Sequence, residues 1–498
     1  MNKRLEDLVT SPSSGTVPPV MPDTATLRPS AARDLYGDLF GKTSPPRQGQ
    51  SEIRPAAVVQ PPRLPTTLAE SGLTIGQLGE FILKQLYLQG VQPGHEIARA
   101  LRLPFLIVSE GLEALQQQRC LEVLSGEVVS RATYRFQLTE LGRLRAREMF
   151  DSCRYCGPAP VPLADYVTQC RRQAVTGFAC TLAALEDGFR DLVVQTSLLE
   201  ELGPALCSGR SIFLYGPPGN GKTLIAKGLG QYLHQHGGDI YVPYAVQTEG
   251  SIITVFDPVV HQTRDDGELA RRTSGNTDAT GLLLADGATD LRWRRIKRPV
   301  VITGGELTLD LLELQLNKVG NFYSAPLHIK ANGGVFLIDD FGRQLVSPRE
   351  LLNRWIVPLE ERLDYLTLGT GRKIAIPFEQ LTIFSTNLDP KDLVDDAFLR
   401  RIRHRIAIQA PDRATFTQIF ERLSALRGLN VPAGLIEHLY ATYYNPERPP
   451  RSSDPRDLLD LLTATCRFQG RPLQFDPSVF DTVCQRFFQR PANSVIGT

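Results

Sequence analysis

Eight consecutive residues carry the most specific chemistry in this 498-residue chain: Gly216-Pro217-Pro218-Gly219-Asn220-Gly221-Lys222-Thr223. They match the spacing G-x-x-x-x-G-K-T. Glycines let successive backbone N–H groups turn inward around phosphate oxygens, and the N-terminus of a following helix adds partial positive charge. In such a loop Lys222 reaches the terminal phosphates and the Thr223 hydroxyl ligates Mg²⁺. A second candidate is the pair Asp339-Asp340. A carboxylate at the end of a buried strand suits the Mg²⁺ shell, which is the role of Asp339. Asp340 stands where a general base or water-polarising carboxylate is needed. The chemistry implied is attack of water on the terminal phosphate of ATP, with Mg²⁺ as the metal.

Such a loop needs a strand before it and a helix after it. Residues 211–215 (SIFLY) form an apolar run suited to a buried strand, and the stretch after Thr223 (LIAKGLGQYLHQ) has helical spacing. The run 335–338 (VFLI) is a second buried strand, and it ends in the two aspartates. From about 211 to 405, strand-like runs alternate with helical stretches, the pattern of a parallel sheet covered by helices. Residues 411–490 read as helices only.

Together these residues resemble the AAA+ ATPases, over about residues 180–490. The resemblance implies an α/β P-loop core, a parallel sheet sandwiched by helices, with an all-helical C-terminal lid. It also implies further site residues. Leu381-Thr382-Ile383-Phe384-Ser385-Thr386-Asn387 is similar to the sensor-1 strand, with Asn387 orienting the attacking water. Asp396-Ala397-Phe398-Leu399-Arg400-Arg401-Ile402 is similar to the segment carrying an arginine finger. Arg400 and Arg401 are the preferred fingers among four arginines that include Arg403 and Arg405. Ser453-Asp454-Pro455-Arg456 is similar to sensor 2, with Arg456 on a lid helix. A finger of this kind reaches in from a neighbouring subunit, so the resemblance implies a homo-oligomeric ring, most often a hexamer. The family commonly ends the strand in Asp-Glu, and this chain has Asp-Asp. The shorter side chain implies slow turnover rather than lost ATP binding. An alternating stretch around Gly369-Thr370-Gly371 reads as a β-hairpin over residues 364–377. A hairpin before sensor 1 is similar to the clade of MoxR-type ATPases, bacterial enhancer-binding activators, and Holliday-junction and replicative helicases. In that clade it often faces a central pore; a plain structural hairpin is the alternative.

The rest of the chain divides by composition. Residues 1–66 hold eleven prolines and little apolar periodicity, so they read as a disordered arm. One island there, Asp34-Leu35-Tyr36-Gly37-Asp38-Leu39-Phe40, is either a docking peptide or a stray apolar cluster. Residues 71–150 show three helical stretches, two strand-like runs and a further helix, with Thr139 as its N-cap. That order resembles a winged-helix domain. Its charge argues against DNA: nine Lys/Arg face eight Asp/Glu, and the third helix carries Glu110 and Glu113. Arg143, Arg145 and Arg147 form its basic cluster. Residues 151–180 read as a linker, 181–410 as the ATPase core and 411–498 as the lid.

Composition narrows the remaining options. Hydrophobic residues are 42%, charged residues 22% and the net charge is +1, so nucleic-acid or membrane binding would need a local patch. The densest basic run, Arg292-Trp293-Arg294-Arg295-Ile296-Lys297-Arg298, lies in a segment, 248–330, inserted between the two motifs; a solvated hairpin face that balances nearby acids is the expectation, with nucleic acid or a partner's acidic surface as the alternative. Eight scattered cysteines, including Cys153 and Cys156, read as reduced thiols rather than a zinc site. With no apolar run of about 18 residues and no export signal, a cytoplasmic protein without membrane insertion is expected. Three functions follow: a chaperone-like remodeller of a protein partner, a DNA-binding regulator or DNA-remodelling motor, and a slow ATP-dependent assembly switch. The near-neutral domain at 71–150 favours the first, and nucleic acid stays second.

Overall fold

The structure, a computed structural model, describes residues 59–124, 131–176, 180–264, 289–393 and 400–488. The island at 34–40, nearly all of the arm and residues 396–399 of the arginine-bearing segment lie outside them.

The first unit runs α1 (Ile75–Gln89), β1 (Gln92–Pro93), α2 (Gly94–Leu101), α3 (Phe105–Gln117), β2 (Leu121–Leu124), β3 (Arg135–Leu138) and α4 (Glu140–Ser152). Thr74 starts α1 through a capping box with Gln77, and Leu78, Phe81, Ile82 and Leu86 then bury one helical stripe. Thr139 caps α4 by accepting the Gly142 N–H at 3.0 Å. The three strands form a small antiparallel sheet in the order β1-β3-β2.

Residues 151–180, expected as a linker, contribute several buried side chains and two elements where they are described. Tyr155, Ala159, Val161 and Tyr166 are buried. β4 (Val161–Pro162) pairs in parallel with a strand of the next unit, and α5 (Leu163–Arg172) follows.

The core then runs α6 (Leu182–Gly188), α7 (Thr196–Ser208), β5 (Ile212–Tyr215), α8 (Lys222–His236), β6 (Ile240–Pro243), β7 (Ala245–Thr248), β8 (Ser251–Thr254), β9 (Trp293–Ile296), β10 (Val300–Thr303), β11 (Gln315–Asn317), β12 (Phe322–Ser324), β13 (Val335–Ile338), α9 (Pro348–Glu361), β14 (Leu363–Thr367), β15 (Lys373–Pro377), β16 (Leu381–Thr386) and β17 (His404–Ala407). The central sheet has the order β10-β13-β16-β5-β17, and every neighbouring pair is parallel. Side-chain alternation divides its two faces. Ile212, Leu214, Val335, Leu337, Leu381 and Ile383 pack under α6, α7 and α8. Phe213, Phe336, Ile338 and Phe384 pack on the other side with Trp355 of α9. Burial on both faces explains why these strands read as continuous apolar runs.

Among the described residues four helices follow: α10 (Arg413–Ala425), α11 (Leu435–Thr442), α12 (Asp454–Phe468) and α13 (Pro477–Phe488). They share their own core around Phe416, Phe420, Leu458 and Phe480.

Two features depart from the sequence reading. A second sheet, β11-β12-β8-β7-β4, is built from β4, β7 and strands of the inserted segment. The basic run is also not a wholly solvated face. β9 pairs with β6, and Arg292 and Arg298 are only 2% and 3% exposed. Arg292 binds the buried Asp290 and the carbonyls of Ser71 and Pro160. Arg298 donates to the carbonyls of Gly237, Gln173 and Gly333. Interior carbonyls need donors, and guanidinium forks supply several at once. The hairpin of β14 and β15 is seated on the second sheet: Leu366, Leu368, Ile374 and Ile376 are buried, and Tyr365 is exposed. The Gly369 N–H donates to the Tyr323 hydroxyl at 2.7 Å, and Arg372 pairs with Glu249.

Candidate functional site

The C-terminal ends of the parallel strands meet at a cleft of about 980 Å³. Residues 218–224 form its floor, Asp339, Asp340 and Asn387 one wall, and Ser452, Ser453 and Arg456 of the lid its roof. Each residue arrives there because its strand ends there. β5 leads into the glycine loop, β13 into the aspartates and β16 into Asn387.

Two glycines of the loop are required by contact. Gly216 has φ of +139°, and a Cβ there would lie 2.2 Å from the Ile408 carbonyl oxygen. Gly219, at φ +84°, would place a Cβ 2.8 Å from the Ser453 hydroxyl. The lid thus rests directly on the loop. The Ser453 N–H donates to the Gly219 carbonyl at 2.8 Å, and the Ser452 N–H donates to Asn220 Oδ1 at 3.2 Å.

Lys222 Nζ donates to the carbonyls of Gly216 at 2.9 Å and Pro217 at 3.0 Å, and to Asn387 Oδ1 at 2.7 Å. Burial lowers its pKa, and the nearby Asp339 and Asp340 carboxylates oppose that shift. Thr223 Oγ1 donates to Asp339 Oδ2 at 2.7 Å. Asn387 Nδ2 donates to Asp340 Oδ1 at 3.1 Å. One hydrogen-bonded line therefore joins Lys222, Asn387 and Asp340. Asp340 adopts φ of +49°, a backbone region most side chains avoid. Gln344 steadies that turn by donating to the carbonyls of Asp339 and Asp340.

The donor set fits Mg²⁺ and a polyphosphate. A hydroxyl and carboxylates converge, all of them oxygen donors, as a hard divalent ion requires. Among the described residues no three His, Cys, Asp or Glu side chains cluster as a metal cage. Asn220 is 5% exposed and its Nδ2 has no protein partner, so a buried donor stands in the loop that phosphate oxygens would enter.

The arrangement brings together most of the expected residues. Gly219 to Thr223, Pro218, Asp339, Asp340, Asn387 and Arg456 all line the cleft. Gly216 and Pro217 act from behind, through their carbonyls on Lys222. Arg456 pairs with Asp457 at 3.1 Å. Arg400 and Arg401 lie elsewhere. They precede β17 and line a separate cleft of about 520 Å³ with Arg210, Leu359, Glu360 and Arg403. β17 runs parallel to β5 with His404 opposite Ile212, so this cleft is at the N-terminal ends of the strands. Unforeseen parts of the first cleft are the apolar edge Leu192 to Val194, Ile408 and Ile419, and the lid residues Arg422 and Ser452; Ser453, the first residue of the sensor-2-like motif, lines it as well. Ser452 and Ser453 directly precede the Asp454-Pro455 start of α12, a helix-start signal that could have flagged them.

Parts of this chain are similar to known proteins. A family model described as a domain of unknown function, DUF8689, matches residues 412–486. The vesicular-fusion protein SEC18 of Candida albicans is 26% identical over 215 residues, 36% of this chain and 25% of that protein. The chain therefore spans about a quarter of that relative's length. Among solved structures, NtrX from Brucella abortus aligns at 13% identity and a TM-score of 0.33, covering 61% of this chain and 53% of that one. The P216G mutant of RuvB from Thermotoga maritima aligns at 13% identity and 0.33, covering 60% and 72%. Scores this low carry no argument of their own. The core is a parallel α/β sheet covered by helices, with a glycine loop after β5, aspartates at the end of β13 and a helical unit over the cleft.

Proposed function

We propose that this chain, on its AAA+-type fold, binds Mg-ATP in the cleft of residues 216–223 and hydrolyses it as part of an oligomeric ring that remodels a protein partner. The observation that carries the reading is the line Lys222–Asn387–Asp340 beside the Thr223–Asp339 pair. These side chains converge from the ends of β5, β13 and β16. Lys222 binds the terminal phosphates, Asp340 holds and polarises the attacking water, and Asn387 fixes the angle between them. When bound, Mg²⁺ neutralises charge on the phosphates, and Thr223 and Asp339 would hold it. The apolar edge at 192–194, Ile408 and Ile419 suits a purine ring.

The finger is proposed to act between subunits, because Arg400 and Arg401 stand at the far ends of the strands from their own cleft. Four strand residues span about 13 Å at roughly 3.3 Å each, too far for an arginine on the wrong end to reach back usefully. A hexamer is the ring this family resemblance favours. Arg456, at the start of α12, transmits nucleotide state to the lid.

For the client, the helix and strand order of residues 75–152 supports a winged-helix-like module that recruits a protein. The two buried arginines of the basic run remove part of the surface a nucleic acid would use, and α3 keeps Glu110 and Glu113. The vesicular-fusion relative points the same way. No helix of the described residues is long and apolar enough to cross a membrane; the cytoplasm is the proposed location. A slow assembly switch is the second reading, and the Asp340 side chain, short by one methylene, favours it.

ATP hydrolysis measured over a range of protein concentrations, with Lys222→Ala as control, tests the proposal. Specific activity should climb with concentration and vanish in the control. Nucleotide binding with no turnover at any concentration would instead leave the switch.

A further inference from the structure

Helix α9 joins the two ends of the central sheet. It begins at Pro348, soon after the Asp339–Asp340 turn, and its last turn reaches the cleft lined by the arginines. Fourteen residues at about 1.5 Å each make a rod of roughly 21 Å. That rod is fixed to the sheet, since Trp355 is fully buried against Phe336, Phe378 and Phe384.

At its far end Glu360 is, among the described residues, the one acid lining a cleft with four arginines. Its Oε1 accepts from Arg401 Nε at 2.6 Å, and the Arg401 side chain is 27% exposed. Arg400 is exposed, and Arg401 is the one gripped by an acid on α9. A carboxylate on Nε holds the guanidinium plane by one edge and directs its approach. An arginine already held this way gives up less rotamer freedom when a phosphate arrives.

We propose that Glu360 is a positioning residue that aims Arg401, rather than Arg400, at the phosphates of the neighbouring subunit. Through α9 that aim is tied to the Asp339–Asp340 turn of its own subunit, so each site reports to the next. This assignment rests on the reading of a finger acting between subunits.

The test uses the full chain. Steady-state ATP hydrolysis and assembly state by light scattering are measured for the wild type, Glu360→Gln, Glu360→Asp, Arg400→Ala, Arg401→Ala and the double variant Glu360→Gln/Arg401→Ala. Glu360→Gln should lower kcat about ten- to hundredfold with KM within about twofold and assembly intact. Glu360→Asp should recover most of that loss, and the double variant should be no slower than Arg401→Ala. Wild-type kcat in Glu360→Gln overturns the proposal. So does an equal further loss when it is added to Arg401→Ala. A loss confined to Arg400→Ala overturns the assignment but leaves the finger between subunits standing. Full activity in both arginine variants, with Lys222→Ala inactive, removes the finger reading itself.

Discussion

Lys222 Nζ and Asn387 Oδ1 lie 2.7 Å apart across 165 residues of sequence, and the same amide donates from Nδ2 to Asp340. The side chain of Asn387 is therefore a spacer between the group that binds phosphate and the group that handles water. Asn387→Ala should leave nucleotide affinity within a few-fold and lower kcat about 10²–10³-fold, as loss of one oriented donor does. Titration of a fluorescent ATP analogue, beside single-turnover hydrolysis, separates the two effects. An equal loss in both would mean that Asn387 only shapes the loop.

Asp340 combines a reactive position with φ of +49°. Asn tolerates that backbone region about as well as Asp. Asp340→Asn should therefore keep unfolding stability within about 0.5 kcal/mol while turnover falls at least about a hundredfold. Denaturant melts and a phosphate-release assay on one preparation decide it. A variant that loses stability as much as activity would assign Asp340 to the fold.

Asp364 at the base of the hairpin takes bonds from His328 Nε2 at 2.7 Å and Arg354 Nη1 at 2.6 Å. Burial alone would raise its pKa, but His328 and Arg354 outweigh that and hold it below the ordinary range. A depressed native pKa adds stability that is complete above the unfolded value near 3.9 and is lost as pH falls through the native one. Asp364→Asn should be less stable than the wild type at pH 7, with the gap shrinking below about pH 4. Chemical denaturation across pH 2.5 to 7 would show a constant gap if the carboxylate were not ionised in the fold.

Arg292 and Asp290 are both nearly inaccessible, and Arg292 also ties Ser71 and Pro160 to the core. Arg292→Ala leaves a buried carboxylate without its partner, which costs about 3–5 kcal/mol. Its melting temperature should fall far more than that of the exposed Arg372→Ala. Similar shifts in the two would show that Asp290 finds water or another donor.

The sequence was most legible where chemistry forced a local pattern. The loop at 216–223 needs its glycines and its flanking strand and helix, so spacing alone located it. Asp339 and Asn387 follow four- and six-residue strands buried on both faces, and apolar runs of that kind are readable. The second sheet was not. β4 has two residues, and the other strands of the sheet come from 245–254 and 315–324, so no single window held its period. Arg292 and Arg298 misled for a related reason. A charge run looks solvated until distant carbonyls that need donors are brought to it. The separation of Arg400 and Arg401 from the cleft is a matter of which strand end they occupy, a property of topology rather than of motif.

Mixing two inactive variants tests the central claim most directly. Lys222→Ala lacks a working site but keeps Arg401, and Arg401→Ala keeps the site but lacks its finger. If each site is completed by its neighbour, the mixture should hydrolyse ATP several-fold faster than either variant alone, with activity peaking near equal proportions. A mixture no faster than the sum of its parts at every ratio would contradict the account.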